Sequence, residues 1–262
     1  MINKPFCHLI QTVFTGRGLN GYGGDEWFKG RIAIFKKYCI SSLLNQTNKD
    51  FIHWICFRAE EEDNPITKDL IKYLEGLKDY KFVCTFHGQP FCDDKKTANI
   101  GLRERVKNSL AEVEKYTIDK DYVYFTVLDS DDMFRDEMVE LIQQEKYAER
   151  KVLTPIIGFI INDETKELAV WNHPTCPPYY TIMFPKETFI DVDLHLAYYG
   201  DFISHEDIPR VFNQVRMKDY LYCCTVHGGN ISTEWWNTTR GELIFYDNYK
   251  QQIFKSFGII YN

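Results

Sequence analysis

The sequence predicts an α/β protein: a largely parallel, Rossmann-like sheet in the first half, fused to a mixed α and β second half. Three observations carry this. Short β-branched runs alternate with helically spaced apolar residues through the first 128 positions, the signature of strand–helix–strand crossovers. Positions 122–128, Tyr-Val-Tyr-Phe-Thr-Val-Leu, form a continuous apolar and β-branched run, as a strand buried on both faces requires. That run stops at Asp129-Ser-Asp-Asp132, placing carboxylates at a strand's carboxyl end, the edge where open α/β sheets bind ligands.

Positions 8–14 read as the first strand, followed by a glycine-rich loop through Asp25. From Trp27 to about Leu44 the residues Phe28, Ile32, Phe35, Cys39, Ser42 and Leu43 keep helical spacing. A second strand covers 51–57, and Ile66, Leu70, Ile71 and Leu74 mark a helix after it. Positions 81–86 form a third strand, before a helix marked by Leu102, Val106, Leu110 and Val113. The fourth strand, 122–128, precedes a helix that starts near Asp136. After Val152 the pattern changes to strand-like runs at 152–161, 168–171 and 179–184, with turn residues and little helix. A short helix near Glu206, a strand over 220–226 and a helix over 247–257 complete the chain. No linker rich in Gly, Ser or Pro and no repeat interrupts it. Residues 1–262 therefore read as one domain, with halves of about 1–135 and 136–262.

A chain of 262 residues buries roughly three quarters of its unfolded surface. Its net charge of −7 argues against a broad nonspecific nucleic-acid footprint. Local basic runs remain at Lys36-Lys37, Lys95-Lys96 and Arg103 to Lys107. Cys39, Cys56, Cys84, Cys223 and Cys224 sit in apolar runs, and no CxxC pair exists, which disfavours both a disulfide framework and structural zinc. No signal-peptide pattern and no apolar run near the ~20 residues of a membrane span is present. The expected compartment is the cytoplasm, at most peripheral to a membrane. An aromatic content of 16% includes the pairs Tyr179-Tyr180 and Trp235-Trp236, which suit either a heavy core or a sugar-stacking surface; Tyr180 and Trp235 are the acceptor-binding candidates.

Asp129, Asp131 and Asp132 would repel one another unless a cation sits between them, so the cluster suggests a divalent metal. The alternative is a helix-capping turn. The loop Thr15-Gly-Arg-Gly-Leu-Asn-Gly-Tyr-Gly-Gly24 lacks GxGxxG spacing, which disfavours a dinucleotide fingerprint. It can still cover a nucleotide, with Arg17 as an anion contact, or be a plain connection. Glu206-Asp207 fits a capping box with Ser204; facing a cleft, it can also act as a general base. His227-Gly-Gly-Asn-Ile-Ser232 follows a strand, where an imidazole can complete a metal shell or form a hydrogen-bonded turn.

Asp129-Ser-Asp131 resembles the DxD motif of GT-A-fold glycosyltransferases. The longer match is to a bacterial family of rhamnosyltransferases. It runs through Thr15-Gly-Arg17, Trp27-x3-Arg31, Phe35 to Tyr38, Ser41-Ser42, Gln46, Phe51-x2-Trp54, Leu-Asp-Ser-Asp-Asp and the HGGN of His227 to Asn230. The resemblance implies a GT-A fold and Mn²⁺ or Mg²⁺ held by Asp131, with His227 as a further ligand and Asp129 nearer the ribose or the metal's water shell. It implies a UDP-, dTDP- or GDP-sugar donor, for which Thr15, Arg17, Arg31, Arg103, Asp129 and Ser130 are the binding candidates. It also implies an inverting base at the acidic pair: Asp207 as proton acceptor, Glu206 positioning the acceptor. The expected acceptor is a glycan or lipid-linked glycan, with a hydroxymethylated DNA base as the lesser alternative. A nucleotidyltransferase, which would release pyrophosphate, and a non-catalytic sugar-binding module are the rivals from other classes.

Overall fold

The run Phe-Cys-His-Leu-Ile-Gln-Thr-Val forms β1 (Phe6–Val13), flanked by parallel partners on both sides: β2 (Ile52–Cys56) and β4 (Tyr122–Val127). In this computed structural model, residues 5–15, 24–87, 100–200, 204–228, 230, 235 and 241–260 are described. The chain first grows outward from β1 to β2 and β3 (Phe82–Thr85), then returns to place β4 on the opposite side of β1. The reversal creates a topological switch point between β1 and β4. Next to β4 lies β8 (Tyr180–Pro185), antiparallel to it. Beyond follow β6 (Lys151–Asn162), β9 (Asn213–Val226) and β5 (Met133–Phe134), with β7 (Leu168–Asn172) paired to β6. One mixed sheet therefore spans both halves of the chain, parallel where the nucleotide-binding half was expected. The fold is the α/β, GT-A type anticipated from the sequence.

Alternation along the parallel strands explains the two-sided core. Ile10, Ile55 and Tyr124 face one apolar cluster, where Phe28, Ile32 and Phe35 of α1 (Gly24–Phe35) and Leu70 and Leu74 of α3 (Pro65–Glu75) pack. Cys7, Leu9, Trp54, Cys56, Val123 and Phe125 face the other, against Val106, Leu110 and Val113 of α4 (Ile100–Glu114). Successive side chains of a strand point to opposite faces, so continuous apolar runs are what a doubly covered sheet needs. The single helix expected up to Leu44 is α1 followed by a π turn, Lys36–Ile40, and α2 (Ser41–Leu44). The wider turn lets Tyr38, Cys39 and Ile40 all be buried in succession.

Two expectations fail beyond α5 (Met138–Gln144). Residues 186–198 are not helix-poor: they form α6 (Lys186–Ile190) and α7 (Val192–Tyr198), divided by Asp191, whose carboxylate accepts from the backbone N–H of Asp193 and Leu194. Segments this short show no readable periodicity, and packing of Phe189 and Tyr198 into the second cluster stabilises them. The strand expected over 220–226 begins seven residues earlier, at Asn213, because its exposed first part is aligned by β6 rather than by burial. The short helix near Glu206 is a 3₁₀ turn, His205–Asp207, leading into α8 (Ile208–Val211), and the last helix is α9 (Asp247–Ser256). Among the described residues no helix is long and apolar enough to cross a membrane.

Two fully buried histidines make this fold acid-sensitive. His53 lies between the hydroxyls of Thr12 and Tyr80, and burial lowers its pKa to about 3. Burial also lowers His195, to about 4, although its hydrogen bond to the Phe189 carbonyl opposes the shift. The unfolded chain, with histidines near 6.5, binds protons that the fold cannot. Stability is therefore complete above that value and falls as pH drops towards 4, by up to about 1.4 kcal/mol per pH unit for each group. Urea unfolding at pH 7 and pH 5 should show this loss, and His195→Gln should reduce the slope by one group's share.

Candidate functional site

β4 delivers its carboxylates to the edge of the switch point. The Leu128 N–H donates to the Gln11 carbonyl (2.9 Å) and the Thr12 hydroxyl donates to the Leu128 carbonyl (2.8 Å), extending the pairing with β1 past the end of the strand. The chain then turns through Asp129-Ser-Asp-Asp132, closed by Asp132 N–H on the Asp129 carbonyl (3.3 Å), and enters β5. Ser130, Asp131 and Asp132 are all buried.

Two of the three carboxylates have separate tasks. Asp132 Oδ1 accepts from the Thr225 N–H of β9 (2.7 Å), and its other oxygen accepts from the Tyr179 hydroxyl. Asp131 Oδ2 is met by Arg31 Nη1 of α1 (2.9 Å), by His227 Nε2 (3.1 Å) and by Asn230 Nδ2 (3.2 Å). Asn230 also closes the His-Gly-Gly-Asn turn: its amide donates to the Thr225 carbonyl (2.9 Å) and its Oδ1 accepts from the His227 N–H. Two segments far apart in sequence, α1 and the turn from His227 to Asn230, thus converge on one carboxylate oxygen of a third.

Their environments push the two buried carboxyls apart. Burial and the nearby Asp131 and Asp129 charges drive Asp132 well above the usual carboxylate range, against the hydrogen bonds from Tyr179 and Thr225. Burial acts in the same direction on Asp131, but the His227 hydrogen bond and the Arg31 charge outweigh it and hold that group below the usual range. Asp131 is therefore the anion and Asp132 the structural partner.

Asp131 and His227 could each supply one ligand to a divalent cation. Two ligands at right angles on an ion with ~2.1 Å bonds lie about 3.0 Å apart, and Asp131 Oδ2 and His227 Nε2 stand 3.1 Å apart. A carboxylate with an imidazole suits Mn²⁺ better than Mg²⁺. Among the described residues no three His, Cys, Asp or Glu side chains are grouped to hold a metal.

Of the residues singled out from sequence, Asp131, His227 and Arg31 come together, with Asp129 and Ser130 in the same turn. Thr15 lies on the same edge, past the end of β1, where its hydroxyl accepts from the Arg58 N–H (3.0 Å). Arg17 lies outside the described residues. Arg103, on α4, instead pairs with the exposed Asp193. Asp207 completes the capping box: Ser204 N–H donates to its Oδ2 (3.0 Å) and Arg210 pairs with its Oδ1, while Glu206 is exposed. This turn is anchored by His205, whose ring donates to the Cys176 carbonyl, in the segment leading to Tyr180 opposite Val127 of β4. Trp235 and Tyr180 are buried, Trp235 among Ile160, Ala169, Cys224 and Val226, so they pack the core rather than offer an open stacking surface. Sequence reasoning missed Asn230, Tyr179 and Thr225; only Asn230 carried a signal, as the last residue of HGGN.

No family model matches the sequence, and no curated protein matches it. Several solved structures resemble the chain, two of them as follows. One is a protein assigned as a nucleotide-diphospho-sugar transferase from Desulfovibrio desulfuricans G20, 13% identical, with a TM-score of 0.37 over 90% of this chain and 91% of that one. The other is the inositol-1-phosphate CTP transferase from T. maritima, 9% identical, with a TM-score of 0.36 over 84% and 89%.

Asp132 provides a direct test of the site's framework. Asp132→Ala strands the Thr225 N–H and the Tyr179 hydroxyl in the interior and should destabilise the protein by about 2–4 kcal/mol. Asp132→Asn keeps an acceptor for Thr225 and offers its amide to Tyr179. It should lie within about 1 kcal/mol of wild type in urea unfolding.

Proposed function

We propose that this protein is a metal-dependent, inverting GT-A glycosyltransferase that moves a sugar from a nucleotide donor to a hydroxyl acceptor. The observation that supports it most is the convergence of Asp131, His227 and Arg31 at the carboxyl edge beside the β1–β4 switch point. An anion-binding guanidinium, a carboxylate and an imidazole at that edge suit a nucleoside diphosphate held with a cation. Bound Mn²⁺ or Mg²⁺ would neutralise charge developing on the departing diphosphate. Arg31 pairs with phosphate oxygens, Thr15, Asp129 and Ser130 line the donor's path, and Arg17 is kept from the sequence as a further anion contact. The buried Ser130 hydroxyl, without a partner among the described residues, suits a hydrogen bond to the donor. Arg103 is left out of this donor set because Asp193 engages it.

The acceptor's proton goes to the Glu206-Asp207 turn. Both Asp207 oxygens are engaged, one by the cap and the other by Arg210, which moves the proton acceptor in this proposal from Asp207 to the exposed Glu206. The acceptor is a glycan or its lipid-linked precursor, met on the cytoplasmic side; the acidic balance of the chain disfavours DNA.

A thermal-shift screen of UDP-, dTDP-, GDP- and CDP-sugars with and without Mn²⁺ should show one Mn²⁺-dependent stabilising donor. Asp131→Ala should abolish that response while the protein stays folded; unchanged nucleotide affinity in calorimetry would sink the reading. Release of pyrophosphate from a nucleoside triphosphate would replace it with nucleotidyl transfer.

The proton-transfer step is tested separately. Glu206→Gln should lower turnover about 10²–10⁴-fold, the size of a general-base contribution, with donor affinity unchanged. Asp207→Asn, which retains the cap, should keep most of the activity. Retention of the anomeric configuration in the product would remove the need for a base here.

A further inference from the structure

Arg31 stands against both side-chain atoms that a cation would take as ligands here. Its Nη1 lies 2.9 Å from Asp131 Oδ2 and 3.2 Å from His227 Nε2, and those two atoms are themselves 3.1 Å apart. The side chains are 12%, 8% and 10% exposed for Arg31, Asp131 and His227, so water screens the group little. Nε2 can serve only one of these neighbours at a time: carrying its proton it donates to Asp131 Oδ2, and without it its lone pair accepts from Arg31. In either case the Arg31 charge stands against Asp131 Oδ2.

We infer that Arg31 is a resident counter-cation of this site, which keeps a divalent ion out until the donor's diphosphate draws the guanidinium away. This rests on the nucleotide-donor reading above. A guanidinium and a divalent ion cannot both sit against Asp131 Oδ2 without strong mutual repulsion, so each weakens the other's binding. A diphosphate offers arginine a bidentate partner of higher charge than one carboxylate. Pairing with it frees Asp131 and His227 and brings phosphate oxygens to the vacated position. Metal and nucleotide then bind synergistically, and by linkage each raises the other's affinity by the same factor. Asn230, which also donates to Asp131 Oδ2, is neutral and keeps the carboxylate oriented during the exchange.

The test is Mn²⁺ binding followed by the loss of its free-ion paramagnetic resonance signal, with no catalytic readout. Wild type, Arg31→Gln and Arg31→Lys are titrated with Mn²⁺ alone and with Mn²⁺ plus UDP, dTDP or GDP. Wild type should bind Mn²⁺ weakly alone and at least about tenfold more tightly with one nucleotide, within the usual range of coupling between sites. Arg31→Gln should bind Mn²⁺ alone about tenfold more tightly than wild type and lose most of the nucleotide's effect. Arg31→Lys, still cationic, should exclude Mn²⁺ as wild type does. Arg31→Met, similar in volume and uncharged, repeats the test if the glutamine variant does not fold. If uncharged variants bind Mn²⁺ alone no better than wild type, while wild type still binds Mn²⁺ with nucleotide, the counter-cation role is overturned and the glycosyltransferase reading stands. If wild type binds no Mn²⁺–nucleotide pair, both are overturned.

Discussion

A single buried carboxyl, Asp132, holds the two halves of the site in register. Its oxygens are taken by a backbone N–H of β9 and by the hydroxyl of Tyr179, just ahead of β8. The turn that ends β4 is thereby fixed to the strand that carries His227 and to the segment that enters β8. A buried polar group must be hydrogen-bonded or it destabilises the fold. The requirement works in both directions here: Asp132 needs those two donors, and they need it. With the turn pinned, Asp131 has one direction left to face, towards Arg31, His227 and Asn230.

A second junction fixes the helix that supplies Arg31. Asp163, in the turn between β6 and β7, accepts from Lys37, Tyr38 and Lys166, and its backbone N–H donates to the Val226 carbonyl (2.8 Å). Lys37 and Tyr38 lie in the π turn that continues α1. The same hub therefore touches both the end of the Arg31 helix and the residue before His227. Burial alone would raise Asp163, but the hydrogen bonds from Lys166, Lys37 and Tyr38 hold it well below the usual carboxylate range. Two elements that meet at Asp131 are thus braced against each other away from the chemistry, which limits drift between guanidinium and imidazole.

The crowding of three carboxylates at one strand end is resolved by division rather than by charge alone. One is buried and driven towards its neutral form, one is paired with a cation, and Asp129 stays at the mouth of the turn. Three ionised carboxylates side by side would repel one another, and this division relieves that repulsion.

Much of this was legible in the sequence. Continuous apolar strands, helical spacing and the abrupt acidic ending of the fourth run showed the order of the first half and the strand end that carries the carboxylates, because these follow from local periodicity. The motif residues Arg31, Asp131 and His227 were also legible as types suited to anion and metal. Their union was not: Arg31 and His227 are separated by 196 positions, and only the pairing of β9 with β6 and β5 brings the latter to Asp131. The short helices over 186–198 and the early start of β9 were invisible because tertiary packing, not propensity, stabilises them. So was the fate of the aromatic candidates, since burial of Trp235 and Tyr180 depends on partners elsewhere in the chain. Residue chemistry set what the site can hold; tertiary structure decided which atoms share it, because contacts across the sheet are not encoded in any local stretch.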